Sequence, residues 1–249
     1  MATTAVADIP TLELLYKLGK LSAPAKVLFP HNASHNQKVS VIRSDITKLE
    51  IDAIVNAANS SLLGGSGVDG AIHRAAGLGL RKECRTLDGC ETGSSKMTGA
   101  YELPCEKVIH TVGPVYDALA PEASEELLKG CYQSSLDLAV QNNCRSIAFS
   151  AISTGVYGYP SRDAAPVAIG TVRKFLDSEK GKNLDRVVFC TFETKDVNAY
   201  DETLPQYFPP KDTSTTNETT SETSSKQKTE EASAIAAELP SVPKADPAA

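Results

Sequence analysis

The residues best suited to chemistry fall in one short stretch. Asn56-Ala57-Ala58-Asn59 is followed by Ser60-Ser61-Leu62-Leu63 and then by Gly64-Gly65-Ser66-Gly67-Val68-Asp69-Gly70. A carboxamide such as Asn59 both donates to and accepts from a sugar hydroxyl. Glycines let the main chain approach a ligand closely and adopt positive φ. If a helix opens near Val68, its first N–H groups point at a phosphate or a hydroxyl. Asp69 reads either as an early-turn residue favoured by the helix dipole or as a reacting carboxylate. His73 lies one helical turn later, so the two side chains share a face.

Two other segments carry comparable signals. Ser44-Asp45-Ile46-Thr47 places a carboxylate that reads either as a turn or helix cap or as an acceptor for the exocyclic amine of a purine. Ala151-Ile152-Ser153-Thr154-Gly155-Val156-Tyr157-Gly158-Tyr159-Pro160 is a second glycine-bearing loop. Its successive N–H groups can form an anion nest, and Tyr157 can cover a sugar. Ser153 is a poor nucleophile candidate, because no Gly-x-Ser-x-Gly elbow surrounds it and no His–acid pair is placed to activate it. Gly65-x-Gly67-x-x-Gly70 formally matches a dinucleotide fingerprint, but a polar Asn/Ser linker separates it from the preceding strand. No Gly-Lys-Ser/Thr occurs either, so dinucleotide oxidoreductase and P-loop chemistries are disfavoured. Two phosphate-type loops and one upstream Asp suit a diphosphate with a base at one end and a second sugar at the other.

The elements that must position these residues follow from periodicity. Strands are expected over 39–43, 53–56, 107–112, 146–151 and 186–192, with helices over 68–76, 79–87, 124–142, 161–178 and 197–204. The buried face of the 124–142 helix is assigned to Leu127, Leu128, Cys131, Leu136, Leu138 and Ala139. Alternation of strands and helices implies parallel crossovers and a three-layer α/β domain. Ligands in such sheets bind beyond the carboxyl ends of the strands, where the three segments above begin. Residues 1–37 form a lead-in whose short helix over 11–18 is expected to pack on the domain surface, with Gly19 ending it. The domain proper spans 38–208. Residues 209–249 form a low-complexity tail expected to remain disordered, with at most a transient helix over 230–239.

Composition excludes several classes. A formal net charge of −6 and the absence of Trp argue against direct nucleic-acid binding. The N-terminus lacks a secretory pattern and no apolar run would span a bilayer, so a soluble cytoplasmic or nuclear protein without a membrane partner is expected. The cysteines, Cys84, Cys90, Cys105, Cys131, Cys144 and Cys190, show no Cys-x-x-Cys spacing, and no histidine sits close enough to any of them to suggest a zinc site. They read as reduced thiols, and no metal site is expected.

Taken together, Asp45-Ile46-Thr47, Asn56-Ala57-Ala58-Asn59, the Gly64–Asp69 loop with Gly70-x-Ile72-His73, Ile109-His110-Thr111-Val112-Gly113-Pro114 and Ile152 to Pro160 resemble the macrodomain family, and within it the MacroD-type branch. The resemblance runs from Val39 to Phe208. It implies a three-layer α/β/α macrodomain with a central mixed, mostly parallel sheet. It implies that Asp45, beside Ile46, binds adenine, with Phe192 lining that pocket. Asn59, Gly67, Val68 and Asp69 would line the distal ribose and diphosphate. Ser153, Thr154, Gly155, Val156 and Tyr157 would wrap the diphosphate. The activity implied is removal of mono-ADP-ribose from Asp and Glu side chains of proteins and deacetylation of O-acetyl-ADP-ribose, by a monomer, without cofactor or metal. An ADP-ribose reader without turnover and an ADP-ribose phosphate phosphatase are the alternatives. Asp69 would orient or deprotonate water, Asn59 would position the ribose, and His73 would support Asp69. An ordinary Asp, with a pKa near ~4, is a weak base at neutral pH, so orientation matters more than proton abstraction. Two departures from the pattern stand out: Ser44 and Ser66 each occupy a usual glycine position. A positive φ at Ser66 would cost about 1–2 kcal/mol.

Overall fold

The computed structural model describes residues 2–211. The elements in chain order are β1 (Thr4–Ala5), α1 (Leu12–Lys17), α2 (Ala33–Lys38), β2 (Val39–Arg43), β3 (Leu49–Glu50), β4 (Ala53–Ala58), α3 (Gly67–Ala76), α4 (Leu78–Thr86), β5 (Ser95–Gly99), β6 (Lys107–Val112), α5 (Pro121–Gln141), β7 (Ser146–Phe149), α6 (Ser161–Leu176), β8 (Arg186–Thr191) and α7 (Thr194–Tyr207). The main sheet has the order β2-β8-β7-β4-β6-β5. Its first five strands are parallel, and only β5 runs antiparallel, against β6. The fold is a three-layer α/β/α domain with a mixed, mostly parallel sheet. Of the expected low-complexity tail, Pro209 is buried, and residues 212–249, which include the helix expected over 230–239, lie outside the described residues.

The layers follow from the two-residue period of a strand. Ala53, Val55, Ile147, Phe149, Val187 and Phe189 enter one core, against α5, α6 and α7. Their neighbours Ile54, Ala148, Val188 and Cys190 enter the other, against α3 and α4. Strands buried on both faces are continuous apolar runs, which is why these could be found from sequence.

Four features differ from the expectations. The lead-in is not a surface appendage, since Leu12 and Leu15 of α1 belong to the main core. The α2 helix was not anticipated. Its sequence Ala-Ser-His-Asn-Gln-Lys has no apolar stripe, and it is held by the Asn32 cap on His35 N (3.2 Å) and by Asn36 donating to Pro209 O (3.0 Å). The β5 strand was missed because its Ser-Lys-Met-Thr-Gly pairs on one side only and carries little apolar periodicity. Finally, α5 begins at Pro121, an ordinary first-turn proline, and its buried stripe is Leu128, Cys131, Tyr132, Ser135, Leu136 and Ala139. Leu127 is exposed and Leu138 only half-buried, a rotation of the face from the one expected. All six cysteines are free thiols. Among the described residues no helix is long and apolar enough to cross a membrane.

Candidate active site

Parallel β2, β8, β7, β4 and β6 end on one rim of the sheet, and the segments that leave them sit side by side in strand order. Asp45 follows β2 and Phe192 follows β8. Residues 150–159 follow β7, and Asn59 with the glycine loop follows β4. Thus the two glycine-bearing loops leave adjacent strands, with Asp45 and Phe192 together at one end of the row.

At that end, the register pairs Arg43 with Thr191, which brings the two segments together. Asp45 is exposed and caps a short 3-10 helix, Ile46–Lys48: its Oδ1 accepts from Thr47 N (2.9 Å) and Thr47 Oγ1 (2.7 Å). The capping geometry expected of this Asp is therefore present on the rim itself. Ile46 is buried, whereas Phe192 exposes 60% of its surface, a large apolar ring left open at the sheet edge.

The β7 loop is tethered at several points. Lys195 Nζ on α7 donates to Thr154 O (2.7 Å), Tyr116 N to Tyr157 O (2.9 Å) and Tyr159 N to Ser153 O (3.0 Å). Ser153 adopts φ +66°, unusual for a residue with a side chain. It also packs so closely on Gly113, at the end of β6, that a Cβ there would fall 2.1 Å from Ser153 Oγ. The Ser153 hydroxyl is buried without a hydrogen-bond partner. Gly155 and Val156 form the exposed crest, with Tyr157 half-buried beside them.

The β4 loop enters α3 at Ser66, whose side chain makes no cap, so the first helical N–H groups have no side-chain acceptor there. Ser66 has φ −99°, and the positive φ falls on Gly67 instead, so the strain considered for Ser66 does not arise. Ser44 is likewise absent from the positive-φ residues. Asn59 folds the loop: its Nδ2 donates to Gly64 O (2.9 Å), and its Oδ1 accepts from Ser61 N (3.0 Å) and Ser61 Oγ (2.6 Å). Gly70 lets the loop lie on the helix, since a Cβ there would come within 2.4 Å of Gly65 O. The Gly65 main chain covers Asp69. A Cβ on Gly65 would lie 3.0 Å from Asp69 Oδ2 and 3.2 Å from Asn59 Nδ2, so the loop brings these two polar groups to one point.

Asp69 is 4% exposed. Its Oδ1 accepts from Asn56 Nδ2 (2.8 Å) and lies 3.5 Å from His73 Nε2, while its Oδ2 has no partner. Burial raises the Asp69 pKa, against the opposing pull of Asn56 and His73. Burial lowers that of His73. Below them lies a residue set that sequence reasoning did not assign. Asn56 Nδ2 also lies 3.1 Å from His110 Nδ1, and His110 Nε2 lies 3.0 Å from Thr98 Oγ1 and 3.7 Å from Cys84 Sγ. His110 is fully buried, which pushes its pKa down to about 3. The Cys84 thiol is pushed up to about 11 by burial first.

The expectation that no histidine sits close enough to a cysteine to suggest a metal site is thus corrected. His73, Cys84 and His110 bring ligand-type atoms within 4.8 Å of one another, although Cys84 and His110 are far apart in sequence. The trio is the only such group among the described residues. The ring nitrogens of His73 have no hydrogen-bond partner, whereas the other two members are engaged. Both ring nitrogens of His110 meet hydrogen-bonding partners, and Cys84 keeps its proton, so the set presents few free lone pairs to a cation. A separate groove of about 950 Å³ runs between α5 and α6, and none of Asp45, Asn59, Asp69 or His73 lines it.

Glycine-bearing loops gathered at the carboxyl rim of a mixed six-stranded sheet are the arrangement of a ligand-binding α/β domain. The macro domain family matches residues 55–168. The chain is 55% identical over 174 residues to the ADP-ribose glycohydrolase MACROD1 of Rattus norvegicus, covering 70% of this chain and 67% of that protein. It is 53% identical over 169 residues to the macro domain-containing protein CT2219 of Chlorobaculum tepidum, covering 68% and 96%. The solved Trypanosoma brucei macrodomain in complex with ADP-ribose superposes with a TM-score of 0.64 at 43% identity, covering 74% of this chain and 78% of that one. The chain belongs to the macro domain family. The matched region spans 54% and 53% of the Mus musculus and Bos taurus MACROD1 proteins, so about half of their length has no counterpart in the match.

Proposed function

We propose that this chain binds ADP-ribose along the rim and hydrolyses mono-ADP-ribose esters there, with modified proteins as its macromolecular substrates. The observation that carries the reading is the order of the strand ends. Asp45 and Phe192 stand at the end suited to a purine, the β7 loop stands in the middle, and Asn59 with Asp69 stands under the β4 loop. A nucleoside diphosphate sugar laid along this row puts its terminal ribose over Gly65, where Asn59 and the unpartnered Asp69 oxygen converge. The free N–H groups of α3 and the crest at Gly155 supply donors to the diphosphate without a net basic surface. In this reading Ile46 flanks the base, Gly67 and Val68 line the ribose and diphosphate, and Ser153, Thr154, Val156 and Tyr157 form the wall of the diphosphate channel.

Asp69 orients a water against the bond joining the terminal ribose to a carboxylate. The products are ADP-ribose and the free carboxyl, and an O-acetyl ester on the same ribose presents equivalent chemistry. A raised pKa makes the carboxylate a better proton acceptor near neutral pH than an ordinary Asp. His73, kept neutral by burial, supports the carboxylate rather than neutralising it. The names of the MACROD1 relatives and the ADP-ribose complex of the trypanosomal macrodomain support this reading. One observation favours a reader without turnover: Asp69 is nearly covered by Gly65, so the loop must yield for water to reach it.

Incubation with a protein mono-ADP-ribosylated on Glu, alongside calorimetry with ADP-ribose, separates the two. Release that disappears in Asp69→Ala, with affinity kept within about tenfold, is expected of the hydrolase. Tight binding with no release over hours assigns the reader.

A further inference from the structure

We propose that Thr98 and His110 are positioning residues: a one-way chain of hydrogen bonds from the edge strand β5 fixes the amide of Asn56 and, through it, the Asp69 carboxylate. The proposal rests on the hydrolytic reading of Asp69 only for its effect on rate. The chain of hydrogen bonds stands on geometry alone.

The direction of every bond follows from one acceptor. Thr98 Oγ1 lies 3.0 Å from Gly99 O, a carbonyl that can only accept, so the threonine hydroxyl gives its single hydrogen there. The same Oγ1 lies 3.0 Å from His110 Nε2 and must therefore accept, which places a proton on Nε2. His110 is buried and neutral, so it carries one ring proton, and its Nδ1 is a bare lone pair. Asn56 meets that lone pair at 3.1 Å and can satisfy it only with its NH2 group. The second hydrogen of the same NH2 reaches Asp69 Oδ1 at 2.8 Å. The Cys84 sulfur, 3.7 Å from Nε2, is the longer contact and does not compete with Thr98 for the proton.

Reversing the His110 tautomer has a defined cost. An Nδ1–H would call for the carbonyl of Asn56, the amide would turn over, and an oxygen would face Asp69 Oδ1 where a donor now stands. The carboxylate would lose its only hydrogen bond and, with it, its fixed orientation beneath Gly65. The information that aims Asp69 therefore comes from a hydroxyl three links away, on the one antiparallel strand of the sheet.

Thr98→Val keeps the shape and removes the acceptor, and Thr98→Ser restores it. In the full-length chain, Thr98→Val is expected to lower kcat on a Glu-linked mono-ADP-ribosylated protein by about 10- to 100-fold, the usual consequence of a misaimed catalytic group. The Kd for ADP-ribose should change by less than about twofold, and Thr98→Ser should recover most of the rate. Nitrogen NMR of imidazole-labelled protein should show His110 as the Nε2–H tautomer in the wild type, and a loss of that signature in Thr98→Val. An Nδ1–H tautomer in the wild type, a full rate in Thr98→Val, or a deficit that Thr98→Ser fails to repair overturns the proposal. A wild type that shows the Nε2–H tautomer but never releases ADP-ribose overturns the hydrolase reading instead, and leaves the hydrogen-bond chain standing.

Discussion

Gly113 offers a direct test of whether the β7 loop holds the ligand by its exact placement. Its φ is not among the positive values, so Ala is permitted there by the backbone and the effect is purely steric. The added Cβ would meet Ser153 Oγ at 2.1 Å and Ile152 Cγ2 at 2.7 Å, where contact normally begins near ~3.5 Å. Ser153 must then move by about 1 Å or more. It cannot carry the whole loop with it, because Lys195 holds Thr154 O and Tyr116 holds Tyr157 O. Overpacking of this kind costs about 1–3 kcal/mol, or roughly 2–12 °C of Tm for a domain of this size. On the proposed reading, a displaced Ser153–Thr154 backbone also loses hydrogen bonds to the diphosphate. Each is worth about 1.5–3 kcal/mol to a charged acceptor, so ADP-ribose affinity should fall about tenfold to a hundredfold. Thermal denaturation and calorimetry on Gly113→Ala read both effects. Adding Ser153→Gly removes the closest clash and the strain at φ +66°, and should recover part of each loss, leaving the Ile152 contact. A Gly113→Ala protein with wild-type Tm and Kd would refute the argument.

Other consequences follow from the same geometry. In the proposed mechanism Asp69 must be ionised to act, and its pKa is raised by burial, so the acid limb of the hydrolysis profile should lie above the range of an ordinary aspartate near ~4. A limb at the ordinary value would remove Asp69 from the rate step. The sign for stability is the reverse of a paired carboxylate. The cost of the buried charge is present above the folded pKa and absent below the unfolded one, so Asp69→Asn should raise Tm at pH 8 and leave it unchanged at pH 3. His110, depressed to about 3, contributes stability above pH 6.5 that is progressively lost as pH falls and the unfolded chain takes up protons. Its NMR resonances should not titrate between pH 8 and 5, and a midpoint near the free value would contradict its burial as a neutral ring. Asp45→Ala should weaken ADP-ribose far more than ribose 5-phosphate. Equal losses in calorimetry would dismiss Asp45 as the base-binding residue.

What was legible in the sequence was what is local. Val39, Ile54, Val55, Ile147 and Val188 belong to strands buried on both faces, and such runs announce themselves without reference to their partners. The loops after β4 and β7 were visible for the same reason, since a glycine's permission to turn is a property of its own position. What stayed hidden was whatever depended on a neighbour across space. Asn56 was visible as a carboxamide, but that its NH2 meets both Asp69 and His110 depends on which way it points from β4. Cys84 and His110 were far apart in the chain and adjacent in the fold, so a rule about sequence spacing gave the wrong answer for them. The β5 strand, too polar to read as a strand, supplies Thr98, the one group whose hydrogen bond to a carbonyl sets the direction of every bond above it. The residues of the proposed site are thus set by local pattern, whereas the polarity of the bonds that aim them is set by an edge strand with almost no pattern of its own. A substitution at Thr98 would look harmless by every criterion of sequence and should still be felt at Asp69.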